Sequence, residues 1–212
     1  MSTVPVVPVS LRSIPENVAA NNDRAFAELV SVACHDILTP LATVYGFART
    51  LEQLPLEAPA PRYVEMIGAA SAQIDELVDQ LRLAARIEAG TYQPTLVEHD
   101  SLELARKAAA RLEEGRVEVA GRGAPVRVDP EPAARALAQL SRAAARFGGH
   151  ESVALEVDGA ELVLSPLSRA ARPVVLGEEA RELAAPAAAL LVRALGGELE
   201  ARDETLVIRL PT

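Results

Sequence analysis

From Phe26 onward, apolar residues return at every third or fourth position, and that spacing limits what this chain can become. Phe26, Val30, Ala33, Ile37, Val44, Phe47, Leu51 and Leu54 form one stripe, with a single longer step across Pro40. At 3.6 residues per turn the stripe runs for about eight turns, as in a coiled-coil helix. "NNDRAF" (21–26) offers Asn and Asp as helix-opening residues, and "PLEAPAP" (55–61) breaks the pattern. A second stripe, with Tyr63, Ile67, Ala70, Ile74, Leu77, Leu81 and Ala84, stops near Gly90. Two long helices joined by a short Pro-rich turn make an antiparallel hairpin. One hairpin does not bury both stripes, so two copies are expected to complete a dimeric four-helix bundle.

The rest of the composition suits such packing. Half of the 212 residues are hydrophobic, but only 3% are aromatic and there is no tryptophan, so the core is built from Ala, Leu and Val. A formal charge of -9 opposes binding to nucleic acid or to an anionic membrane. The single cysteine, Cys34, excludes an internal disulfide and reads as a small buried hydrophobe. Residues 1–21 read as a flexible leader, without the pattern of a signal peptide or a membrane span. "AAPAAALLVRALGG" (184–197) is too short to span a membrane and is interrupted by Pro186 and Arg193. A cytoplasmic protein is expected.

From Thr91 the texture changes. "SLELARKAAARLEE" (101–114) is helical, while "RVEVAG" (116–121) and "VRVD" (126–129) alternate like strands. Residues 130–148 form another helix, with Pro130 and Pro132 in or near its first turn. "ESVALEV" and "AELVLS", joined at Asp158-Gly159, predict a hairpin. A helix over about 178–195 and two closing strands complete an α+β sandwich of one sheet and about three helices. His99 and His150 read as loop or capping residues.

The chemistry concentrates in "ACHDILTPL" (33–41). His35 lies two residues from both Ala33 and Ile37, so it points away from the stripe they define, onto the bundle flank. Thr39 sits one turn further on the same face, and Asp36 is adjacent. Pro40 withholds a donor from the Asp36 carbonyl at a cost of about 3 kcal/mol in a helix interior. A local rule broken beside a lone histidine marks a functional site. A neutral imidazole is a good nucleophile and a good leaving group. A carboxylate beside it holds the tautomer and offsets developing positive charge.

"FAELVSVACHDILTPLATVYGFARTLEQ" (26–53) resembles the H-box of two-component sensor histidine kinases, and "LRLAARIEAG" (81–90) resembles the end of that family's second bundle helix. The resemblance implies that His35 is the phosphorylated histidine, that Asp36 polarises it, and that Thr39 orients a hydrolytic water. Two positions depart from the pattern: Leu38 stands in place of Arg, and Cys34 in place of Ser. The Cys-His-Asp variant also resembles dimeric histidine phosphotransferases, relatives without kinase activity.

Residues of about 94–211 resemble the family's ATP-binding (GHKL-type) domain in element order, but not in its ligands. The Mg²⁺-holding asparagine falls on Ala143, with its basic neighbour kept as Arg146. The Asp-x-Gly-x-Gly box falls on "LSPLSR" (164–169), and the next glycine box on "ELAA" (182–185). Without donors for phosphates or metal, ATP and Mg²⁺ binding are expected to be lost. No cofactor and no metal site are therefore expected, and any Mg²⁺ would come from the partner receiver domain.

The resulting expectation has three segments: a leader (1–21), a dimerisation and phosphotransfer domain (22–90), and a degenerate ATPase-like domain (91–212). The function expected is phosphorelay transfer between His35 and receiver-domain aspartates of response regulators, by a homodimer that binds neither nucleic acid nor membrane. The rivals are a kinase or response-regulator phosphatase with an atypical nucleotide site, and a non-catalytic dimeric interaction module.

Overall fold

Apolar stripes at helical spacing give long helices where the pattern places them. The computed structural model describes residues 16–53 and 59–212; residues 1–15 of the expected leader, Leu54 of the first stripe and 55–58 of the Pro-rich turn lie outside the described residues. Helix α1 (Glu16–Gln53) starts ahead of the "NNDRAF" segment and continues through Pro40. Helix α2 (Ala60–Glu88) follows. Leu29 and Ala33, early in α1, meet Ala84, late in α2. Phe47, late in α1, stacks on Tyr63, early in α2, with ring centroids 5.5 Å apart. The pair is therefore the expected antiparallel hairpin.

The remainder alternates strands and helices: β1 (Val97–Asp100), α3 (Ser101–Ala109), β2 (Val117–Gly123), β3 (Pro125–Val128), α4 (Pro130–Gly148), β4 (Val153–Gly159), β5 (Glu161–Ser165), α5 (Arg172–Val175), α6 (Ala184–Ala194), β6 (Glu198–Arg202) and β7 (Thr205–Arg209). A five-stranded sheet has the order β2-β4-β5-β7-β6, with only β2 and β4 parallel. Gly121 in β2 allows that parallel approach, since a Cβ there would collide with the Val157 carbonyl. A separate two-stranded sheet pairs β1 with β3.

Four sequence expectations shift. The single sheet expected is two, because β3 pairs with β1 and not with the other five strands. His99 is not in a loop: it lies in β1 opposite Val126, and Asp100 is the cap of α3, accepting from the Leu102 and Glu103 N–H groups at 2.9 and 3.0 Å. The helix expected over 178–195 begins at Ala184 because Pro186 is tolerated only in a first turn. The helix expected to reach 114 stops at Ala109, ahead of a turn with Gly115 at positive φ. His150 follows α4 in a loop, as expected.

One face of the sheet makes the core. Leu155, Leu162, Leu164, Leu206 and Ile208 pack with Leu104 of α3, Leu137 and Leu140 of α4, and Leu191 of α6. On the opposite face Arg209 bridges Glu161, Glu198 and Glu200 at 3.0 to 3.3 Å.

The two parts of the chain share an apolar seam. Leu183, just before α6, is fully buried with Leu29, Ala33 and Ala84, against Leu77, Leu81 and Leu190. Leu83 and Ile87 of α2 pack on the main core. Part of the stripe that looked available to a second copy is thus covered by the chain's own C-terminal part. A different face remains open: Leu38, Leu41 and Tyr45 are 60%, 47% and 61% exposed. Truncating Leu183 to Ala is expected to cost about 2–5 kcal/mol. Hydrogen exchange should locate the loss in the α1–α2–α6 seam and leave β4, β5 and β7 protected.

Candidate functional site

His35 projects from α1 with its side chain 82% exposed, as its angular offset from the stripe requires. Its Nδ1 lies 3.3 Å from Asp36 Oδ1. Asp36 is two-sided: its Oδ2 accepts a hydrogen bond from the Leu183 backbone N–H at 3.1 Å. Leu183 is the N-cap residue of α6, so the carboxylate also meets the positive end of that helix. Thr39 Oγ1 donates to the His35 carbonyl at 3.2 Å, one turn back along α1. The three residues singled out from sequence therefore form one contiguous site. Pro40 is buried behind it.

A cavity of about 420 Å³ opens beside this triad. Its far wall comes from the C-terminal part: Arg142 and Arg146 of α4, and Glu182 and Leu183 ahead of α6. Arg146 Nη1 donates to Glu182 Oε2 at 3.0 Å. Glu182 is only 11% exposed, and its Oε1 is buried without a hydrogen-bond partner among the described residues. Burial pushes the Glu182 carboxyl above the usual carboxylate range; Arg146 and Arg142 pull it back, and Asp36 adds to the rise. Of this wall, sequence reading noted Arg146, and Glu182 and Leu183 only as part of the "ELAA" segment (182–185). The available signal was the spacing of Arg142 and Arg146, one turn apart on the α4 helix; the approach of Leu183 had none.

Several of the positions that the sequence resemblance sets against nucleotide boxes present apolar side chains to the protein interior. Ala143, Leu164 and Ala185 are fully buried, Leu167 is 1% exposed, and Ala184 is buried as well. Helices α4 and α6 pack directly against each other there. These five side chains carry no atom that could ligate an ATP–Mg²⁺ group. Among the described residues no cluster of His, Cys, Asp and Glu is arranged to hold a metal ion, and no helix is long and apolar enough to cross a membrane.

The Glu182 shift has a testable sign. The folded chain holds this proton more tightly than the unfolded chain, so stability falls as pH rises from the ordinary carboxylate pKa through the raised one. Glu182→Gln removes the titration. Its melting temperature should gain on the parent across that window and keep a constant lead above it, as measured by thermal scans from acid to neutral pH.

Residues 27–90 match the model of the His Kinase A (phospho-acceptor) domain, the span of the hairpin and its histidine. No curated protein matches the chain. Among solved structures, the Acinetobacter baumannii histidine kinase AdeS aligns over 84% of this chain and 97% of its own, at 16% identity and a TM-score of 0.64. Full-length ShkA, solved in complex with AMPPNP, aligns over 87% of this chain and 45% of its own, at 20% identity and a TM-score of 0.50. A bacterial phosphotransferase aligns over 97% of this chain and 98% of its own, at 15% identity and a TM-score of 0.42, too loose a match to carry an argument. At these identities the structural likeness speaks for the fold, and the phospho-acceptor match speaks for the hairpin. Residues 27–90 thus match a His Kinase A (phospho-acceptor) domain, and the fold of the chain is similar to that of histidine kinases.

Proposed function

We propose that this chain is a histidine phosphotransfer protein of a two-component phosphorelay, exchanging a phosphoryl group between His35 and receiver-domain aspartates. The observation that carries the reading is the His35–Asp36 pair, an exposed imidazole whose Nδ1 is held at 3.3 Å by a carboxylate. A proton kept on Nδ1 leaves the Nε2 lone pair as the nucleophile. Nε2 forms the N–P bond as the P–O bond of the aspartyl phosphate breaks, and the aspartate leaves as a carboxylate. Nδ1 keeps its proton, and the positive charge on the ring faces Asp36. Reversal passes the group to a second receiver. The receiver's own Mg²⁺ would supply metal chemistry, consistent with the buried alanines and leucines where the family keeps nucleotide ligands. Thr39 has committed its proton to the His35 carbonyl, so its lone pairs are left to orient a water.

In this reading residues 22–90 dimerise and carry the phosphoryl group, residues 91–212 form a wall beside it, and the protein works in the cytoplasm with receiver domains. The second copy is expected on the α1 face of Leu38, Leu41 and Tyr45, whose three- and four-residue spacing continues around the helix from the intrachain stripe. It is not expected on the face that Leu183 already covers.

Mixing with a radiolabelled phosphorylated receiver should transfer label to the chain as an acid-labile, base-stable product. His35→Ala should abolish labelling and keep the fold. Asp36→Asn should slow transfer by about a hundredfold, and Thr39→Ala should leave labelling intact but lengthen the life of the product. Undiminished label on the His35→Ala protein would sink the assignment, and label arriving from ATP would move the chain to the kinases. Separately, Leu41→Glu should convert a dimer into a monomer by light scattering; a wild-type chain that is already a stable monomer contradicts the dimer.

A further inference from the structure

The transfer scheme leaves one group at the cavity unused. Arg142 and Arg146 stand one turn apart in the C-terminal half of α4 and border the cavity that holds His35, Asp36 and Thr39. Arg146 is committed, to Glu182 at 3.0 Å and over the Phe147 ring at 5.3 Å. Arg142 is exposed and makes no hydrogen bond or ion pair among the described residues. The charged groups facing the cavity are Asp36, Glu76 and Glu182 against Arg142 and Arg146, with His35 between them. Asp36 is spent on the His35 ring and the Leu183 N–H, and Glu182 Oε2 accepts from Arg146. Among the described residues Arg142 acts on Glu182 only through its charge, with its hydrogen-bond donors unspent, in a chain of net charge -9 and beside a residue that would gain a phosphoryl group.

We propose that Arg142 is a phosphoryl-binding residue: its guanidinium takes the oxygens of N-phosphorylated His35, and of the phosphoryl group as it passes between His35 and a receiver aspartate. The proposal rests on the reading that His35 carries phosphate. Arg142 makes and breaks no covalent bond. It supplies N–H donors while the N–P bond forms and the acyl P–O bond breaks, with the Nδ1 proton staying in place. A planar guanidinium matches phosphoryl oxygens in pairs, and a charge-assisted contact of this kind is roughly twice as strong as a neutral hydrogen bond. Asp36 and Glu76 would otherwise repel the incoming dianion, so a cation on this wall is what the local charge balance lacks. The phosphotransfer site is then built from both parts of the chain, and the C-terminal part contributes to it without a nucleotide.

The test separates the proposal from the reading beneath it. Phosphoramidate, a small chemical donor, should phosphorylate His35 with no receiver present, and the signal is assigned by its loss in His35→Ala. In a ³¹P NMR pH titration, Arg142→Ala should raise the phosphoryl pKa by about one pH unit, and Arg142→Lys should restore part of the difference. At equilibrium with a phosphorylated receiver, Arg142→Ala should lower the ratio of phosphohistidine to aspartyl phosphate about tenfold. A labelled Arg142→Ala protein with unchanged titration and unchanged partition overturns the role of Arg142 and leaves the transfer reading standing. A wild-type chain that takes label from neither donor overturns both.

Discussion

Asp36 is the residue on which the two parts of this chain meet. One carboxylate oxygen faces the His35 ring and the other takes the Leu183 N–H at the start of α6. A carboxylate beside an exposed imidazole is free to rotate unless its second oxygen is held, and here the other domain holds it. The N-terminal end of α6 adds a favourable field for the negative charge. Docking of the C-terminal part and orientation of the candidate phosphoacceptor are therefore one structural event.

The apolar seam beneath that contact makes it persistent. Leu183 contributes its backbone N–H to Asp36 while its side chain is buried against Leu29, Ala33 and Ala84. The hydrogen bond alone would be worth about 1 kcal/mol net, and burying a leucine adds roughly 2 kcal/mol more. The polar contact sets the alignment and the leucine keeps the parts together. Glu182, one residue earlier, carries the cost of this arrangement as a buried, half-satisfied carboxylate that only Arg146 pairs directly.

Much of the fold was legible because local physics and global packing agree. Residues 130–148 form α4 within the bounds read from their prolines and apolar spacing, and the hairpin across Asp158-Gly159 pairs as β4 and β5. The sequence reading faltered where tertiary contact overrode local pattern. β1 is too short to announce itself and exists because β3 pairs with it. The stripes of α1 and α2 imply burial against a second copy, whereas Leu183 and α6 of the same chain cover part of them.

By itself the sequence determined the hairpin, the strands of the sheet, and a histidine, a carboxylate and a hydroxyl on one helix face, because each depends on spacings of a few residues. Only the tertiary structure decided that Arg142, Glu182 and Leu183 share a cavity with His35. Asp36 and Leu183 are 147 residues apart. The Leu183 donor is a backbone N–H that every residue except proline possesses, so no side-chain pattern could have marked it; the packing of α6 on the hairpin gave that ordinary group its place.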